Sequence, residues 1–341
     1  MSGGLDLEQR YRRVLRLLPR FYRDKWEEDM VAAFLDGWLT GDPDEDSVTM
    51  EYDRPSWHET ASVAGLAARL YLGAAGTPRR YFAWGQAVRG AVLALLLTHA
   101  IWGLGAVLLV ARSHRLLGWL PPTPAAGGGW LTVWYLAQYS WIVAFVALVL
   151  GHYRAARVTA ALTVASALAI VLQGQLTGGL VSPFASWSYL VLMDIAPVAA
   201  LAAFHRDAPP VPRRPWLLAL PAGYLLVNGP WLTLQLTGNT AWLPDNFGLC
   251  CLLAALACLV HVPRAWSSQS GSGPWSLTLI LLAAVVGLER LTSLSFYPDN
   301  PHLARVGLAE LLILTAATAL VAPDAARTQT GRPPLSRPRP G

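Results

Sequence analysis

The stretch "VVGLERLTSL", residues 285–294, sets two full charges, Glu289 and Arg290, side by side in a run that is otherwise oily. What those charges need depends on whether the run enters a bilayer. With its flanks, residues 275–296, it has the length of a spanning helix, which takes roughly 20 mostly apolar residues.

The rest of the chain has the same texture. Of 341 residues 54% are apolar and 14% charged, and the mean hydropathy is +0.39. Soluble domains carry about 25% charged residues. Here the charges crowd into residues 1–80 and the loops. Eight apolar runs qualify as spans: about 90–111, 130–151, 158–178, 187–204, 216–236, 246–262, 275–296 and 303–322. Turn-forming segments separate them, such as "PPTPAAGGG", "HRDAPPVPRRP" and "YPDNPH". Tryptophans gather near the span ends, at Trp84, Trp130, Trp187, Trp216, Trp242, Trp266 and Trp275, where an amphipathic ring prefers to sit.

Arginines orient the bundle. With the N-terminus in the cytoplasm, the inner loops and tail hold Arg154, Arg157, Arg206, Arg213, Arg214, Arg264, Arg327, Arg332, Arg337 and Arg339, and the outer loops hold only Arg112 and Arg115. This bias explains the net charge of +5, carried by Arg with Lys25 the sole lysine, without invoking nucleic acid. The expected location is the plasma membrane, with both termini cytoplasmic. The start of the chain shows no cleavable signal peptide.

Residues 1–78 read as a separate cytoplasmic module of three amphipathic helices. Leu7, Tyr11, Val14, Leu15 and Leu18 form one face, and Pro19 ends that helix. Tyr22, Trp26, Met30, Ala33, Phe34 and Trp38 form the second face. Ser56 and Glu59 in "SWHE" spell a capping box, Val63, Leu66, Ala67 and Leu70 form the third face, and Gly73 stops it. The expected layout is this module, a juxtamembrane linker over 79–89, a helical bundle over 90–322 and a disordered Pro/Arg-rich cytoplasmic tail over 323–341. The fold class is thus all-α: a polytopic membrane bundle of about eight transmembrane helices with an N-terminal cytoplasmic three-helix module.

The head carries a resemblance. "LEQRYRRVLRLLPRFYRDKWEEDMVAAFLDG" (7–37) and "RPSWHETASVAGLAARLYLG" (54–73) resemble the helical prefix of uncharacterised actinobacterial integral membrane proteins, similar in type to HAAS and permease-prefix domains, which are often encoded beside PadR-type regulators. Tyr11, Arg12, Leu15, Leu18, Pro19, Arg20, Tyr22, Arg23, Glu28, Met30 and the Ser56–Glu59 start carry it. The resemblance covers about a fifth of the chain. It implies a cytoplasmic module on a multi-pass domain, in an envelope-stress or permease-associated setting, and carries over no catalytic residue.

In this topology Glu289 and Arg290 lie in the outer half of the seventh span. As sequence neighbours they point about 100° apart, so each needs a partner elsewhere. The eighth span offers Arg305 and Glu310, and the expected pairs are Glu289 with Arg305 and Arg290 with Glu310. Asp194 sits at similar depth, Asn228 lies beside Pro230, and His99 lies near mid-membrane. A charge at the bilayer centre costs about 2.5–3.5 kcal/mol on insertion scales, so these residues must face each other or water. Three carboxylates (Asp194, Glu289, Glu310) against two guanidiniums leave one negative charge over, to be relieved by protonating Asp194, by His99 or by a bound cation. A structural ion network and a ligand, ion or proton site both account for the cluster.

Other chemistry is sparse. Asp42, Asp44, Asp46 and Asp53 fall at calcium-loop positions, but Ser47 replaces the turn glycine and Asp53 the bidentate glutamate. "HETAS" lacks the second histidine of a zinc motif, and the chain has no GxSxG, P-loop or CxxC. Cys250, Cys251 and Cys258 read as buried thiols. No catalytic residue, cofactor or metal is expected. The reading is a non-enzymatic sensor, anchor or accessory protein whose module, residues 7–73, docks a cytoplasmic partner. The alternative is a permease or permease subunit, served by a separate ATPase polypeptide, with its binding site in the outer-half cluster. The bilayer is the one partner both share, and nucleic acid is not expected.

Overall fold

The computed structural model describes residues 7–38, 53–74, 76–113, 130–179, 182–205, 208–237, 245–267, 273–296 and 301–330. Every regular element among them is helical: α1 (Leu7–Leu15), α2 (Arg20–Asp36), α3 (Trp57–Tyr71), α4 (Arg79–Ser113), α5 (Trp130–Leu150), α6 (Tyr153–Thr177), α7 (Pro183–Ala203), α8 (Arg213–Thr237), α9 (Asn246–Ser267), α10 (Pro274–Ser293) and α11 (Pro301–Thr330). The chain divides into two compact units, Met1–Gly85 and Gln86–Gly341.

In the first unit, α1, α2 and α3 enclose a core of Leu7, Tyr11, Leu15, Leu18, Val31, Phe34, Val63, Ala67 and Leu70. Tyr11 stacks flat on Phe34, with ring centroids 3.9 Å apart. The buried face of α2 differs from the one read off the sequence: Val31 takes the inward position, while Trp26 and Ala33 are exposed. Ser56 accepts from the Glu59 backbone N–H at 3.2 Å, and the Glu59 carboxylate accepts from the Ser56 N–H at 2.8 Å, which closes the capping box on α3. Gly73, at φ 81°, turns the chain after α3, and a Cβ on Gly85 would overlap the Leu72 carbonyl. Asp42, Asp44 and Asp46 lie outside the described residues.

In the second unit, α4, α6, α7, α9, α10 and α11 are long and apolar enough to cross a membrane, the mark of a multi-pass membrane protein. Large apolar side chains point outward from them: Leu162, Leu176 and Leu312 are 64%, 86% and 72% exposed. Water would penalise that surface and acyl chains would not. The helices form two packed groups. One gathers α4, α5, α6 and the C-terminal end of α7 around Leu96, Trp141, Phe145 and Leu148, with Trp216 and Leu220 of α8 at its edge. The other is α9, α10 and α11, around Cys251, Ala255, Cys258, Ala283, Leu314 and Val321. Small residues allow close approach: α6 buries Ala156, Ala160, Thr163 and Ala167 along one stripe. The cysteines are free, with Cys251 and Cys258 buried and Cys250 half-buried.

Two boundaries differ from the sequence reading. The expected linker 79–89 is the start of α4, and at 35 residues the helix runs about 52 Å. The expected tail from 323 is helical to Thr330, with Pro323 inside α11. Pro323 has no N–H to give the preceding turn, but it is exposed, while Val321, Asp324 and Ala325 beside it are buried. Packing on that face outweighs the lost hydrogen bond. Residues 331–341 lie outside the described residues.

Candidate functional site

The site begins at a defect in α7. Residues Leu190–Ile195 form a π-helical turn, in which the Ala196 N–H reaches back to the Val191 carbonyl. Such turns carry an extra residue and recur at functional sites. Here the turn holds Asp194, which is 4% exposed. Three residues after Asp194, Pro197 has no N–H to offer the Met193 carbonyl four residues before it. His99 of α4 lies against that carbonyl, its Nε2 at 2.7 Å. A carbonyl only accepts, so Nε2 carries the proton and donates. Nδ1 of His99 is buried without a hydrogen-bond partner. The ring is clamped by stacking on Trp141 at 4.4 Å and by the edge of Trp102 at 5.8 Å. Asp194 Oδ1 is 3.8 Å from Nε2, beyond hydrogen-bond reach but within ion-pair range of a doubly protonated ring.

Arg290 of α10 lies at the centre of a second arrangement. It is 1% exposed, yet its donors are well occupied. Nε donates to Glu310 Oε2 at 2.8 Å, Nη2 lies 2.8 Å from the same oxygen, and Nη1 donates to Asp245 Oδ2 at 2.7 Å. Asp245 also caps α9, its Oδ1 accepting from the Gly248 N–H at 2.8 Å. Two glycines make the room. A Cβ on Gly248 would overlap the Glu310 carboxylate, and one on Gly307 would sit 3.1 Å from Arg290 Nε. One guanidinium thus ties together α9, α10 and α11.

Glu289 is the residue this clamp leaves out. Turned about 100° from Arg290, it is carried away from α11 and into Coulombic reach of Asp194 and Tyr189 on α7. It is 2% exposed, and neither carboxylate oxygen has a hydrogen-bond partner at ordinary geometry. The Thr292 hydroxyl donates instead to the Glu289 backbone carbonyl at 3.0 Å. The expected Glu289–Arg305 pair does not form: Arg305 is exposed, because α11 turns Glu310 inward and Arg305 outward. Asn228 also stands apart. Its amide donates to the Tyr224 carbonyl within α8 at 3.3 Å, on the side facing Gly105 of α4.

Of the candidate residues, Arg290 and Glu310 meet directly, and Asp194 and His99 are neighbours with Glu289 nearby. Asp245 is an addition that a capping reading of "PDNFG" would have singled out. With Asp245 included and Arg305 outside, four carboxylates, Asp194, Asp245, Glu289 and Glu310, stand against one buried guanidinium, which contacts only Asp245 and Glu310 among them. The surplus negative charge is larger than the sequence count.

A third polar chain runs at the opposite end of the second helix group. Ser276 of α10 donates to Asp324 Oδ2 at 2.5 Å, and His261 Nε2 lies 3.0 Å from Ser276 Oγ. Ser276 is 14 residues before Arg290, about 21 Å along the helix. At that end Arg157 donates to the Leu201 and Phe204 carbonyls, and Arg89 to that of Ala203, so two guanidiniums cap the last turn of α7.

No family model matches the chain, and no curated protein or solved structure matches it. Among the described residues no group of three or more His, Cys, Asp or Glu side chains could hold a metal ion.

Proposed function

We propose that this chain is an eight-span plasma-membrane protein with both termini in the cytoplasm, and that its bundle works as a permease or permease subunit through the outer-half polar site. The carrying observation is Glu289, a carboxylate buried in a membrane-capable helix with no hydrogen-bond partner, beside Asp194. A network that served only to hold helices in register would pair its charges, as Arg290 does. Buried ionisable groups cost enough in a bilayer to mark pathways and binding sites by default. α5 and α8 complete the eight spans, and the arginine bias sets the orientation.

A second reading keeps the chain as a sensor or anchor whose cytoplasmic module docks a partner. It is favoured by the first unit having a core of its own and a resemblance to prefix domains, and by Trp57 at the start of α3 being 83% exposed.

Currents from proteoliposomes on a solid-supported membrane discriminate the two. Jumps of protons, alkali cations, amino acids and sugars are applied in turn. The permease reading expects a current to at least one jump, lost in Glu289→Gln and kept in Arg305→Gln. Silence to every jump removes that reading and leaves the anchor.

A further inference from the structure

We infer that Asp194 and Glu289, between α7 and α10, form a binding site for one monovalent positive charge, delivered as a proton or as a small alkali cation. The inference rests on reading the outer-half residues as a working site, and it names what that site takes.

Three observations carry it. Glu289 is 98% buried with both oxygens unpartnered, and its helix packs on the π turn that holds Asp194. Every other group packed around the pair fails to supply a positive charge. Arg290, next in α10, is engaged by Glu310 and Asp245. His99 of α4 donates its Nε2 proton to the Met193 carbonyl, and its buried Nδ1 has no acceptor for a second proton. Tyr189 of α7 and Cys250 of α9, the remaining titratable neighbours, are neutral or anionic. Two like charges in a low-dielectric interior repel strongly, and one positive charge between them removes that repulsion.

The donors present also limit the ligand. Calcium takes six to eight oxygens and magnesium a near-ideal octahedron. Among the described residues no third His, Cys, Asp or Glu joins the two carboxylates to make a divalent-metal group. A proton shared between the two carboxylates, or one alkali cation between them, relieves the repulsion of two adjacent like charges. It would also leave the Arg290 clamp undisturbed, since the two arrangements share no oxygen.

The test uses the full-length protein in detergent micelles and the thermal midpoint read by tryptophan fluorescence, to which Trp102 and Trp141 beside His99 contribute. Ligand that binds only the folded state raises the midpoint. Sodium and potassium chloride are titrated against N-methylglucamine chloride at constant ionic strength, over a series of pH values. The alkali arm expects a midpoint rise with sodium or potassium and none with N-methylglucamine. The proton arm expects a rise with falling pH that is indifferent to the salt. In either arm Glu289→Gln abolishes that response and raises the basal midpoint, because it removes an uncompensated charge without changing shape. Asp194→Asn does the same, and Arg305→Gln responds as the native chain does. If Glu289→Gln and the native protein respond alike to sodium, potassium and pH, the inference is wrong. A lowered basal midpoint in Glu289→Gln with the response retained also overturns it. A response without any current in proteoliposomes sustains the site and removes the permease reading, and current without a response does the reverse.

Discussion

His99 donates from Nε2 to the carbonyl of Met193 at 2.7 Å, at the one position where Pro197 cannot. A proline on one helix and a histidine on another thus solve a single hydrogen-bonding problem inside the bundle. The pairing fixes the tautomer of His99 and anchors the π turn that carries Asp194. It predicts a thermodynamic cycle. His99→Phe keeps the stack on Trp141 but leaves the Met193 carbonyl without its donor, at a cost of about 1–3 kcal/mol. Pro197→Ala restores an N–H within reach of that carbonyl. The double variant is therefore expected to be more stable than His99→Phe alone. Thermal unfolding in micelles measures all four corners, and strict additivity would show that the two residues do not share the carbonyl.

The Arg290 clamp makes a different prediction, about which partner matters most. Arg290→Met strands Glu310 and Asp245 together without a cation, at a cost of about 3–5 kcal/mol. Glu310→Gln is milder, because Arg290 keeps Asp245. Arg290→Lys falls between, since a point charge cannot reproduce the fork. Gly248→Ala drives a methyl into the Glu310 carboxylate, and Glu310→Ala vacates that space. Gly248→Ala should then cost much less in the Glu310→Ala background than in the native one. Midpoints and membrane yields of this set give the order directly.

Much of this architecture was legible in the residues. Long uncharged windows mark the helices, and "SWHE" marks the start of α3, because both follow from local chemistry. The Arg290–Glu310 pair follows from two spans joined by a short turn. The π turn left no mark, since a helix apolar on all sides has no periodicity to interrupt; Asp194 followed at the third place by Pro197 was the only hint. The outward turn of Arg305 has no mark in the sequence, because only the rotation of α11 decides whether it or Glu310 faces inward. Ser276, His261 and Asp324 escaped notice because polar residues at span ends read as interfacial.

In the first unit the capping box carries a pH dependence. Partial burial opposes the charged form of Glu59, but the Trp38 indole N–H at 3.0 Å and the Ser56 N–H at 2.8 Å outweigh it and hold the carboxyl below its usual range. A folded-state value lowered in this way stabilises above the unfolded value, and the gain is lost as pH falls through the folded one. Hydrogen-exchange protection of α3 in the full-length protein, corrected for the intrinsic pH dependence of exchange, should thus fall on acidification, on the acid side of the ordinary glutamate value. Glu59→Gln should flatten that dependence. Ser56→Ala should speed exchange at every pH, for a cap worth about 1 kcal/mol.

The chain Asp324–Ser276–His261 assembles the residue types of a hydrolase but in the wrong order. In a nucleophilic triad the histidine stands between serine and acid, so that it takes the serine proton. Here Ser276 stands in the middle and gives its one proton to Asp324 at 2.5 Å, so His261 Nε2 must donate to Ser276 Oγ rather than accept from it. The hydroxyl is a structural bridge joining α9, α10 and α11 at one end, as Arg290 joins them at the other. A fluorophosphonate probe should therefore leave Ser276 unlabelled in folded protein. Ser276→Ala should lower the midpoint by the equivalent of about 1–3 kcal/mol, because Asp324 loses a donor while buried. Covalent labelling at Ser276 that depended on His261 would show that the proton runs the other way and that this end of the bundle is an active site.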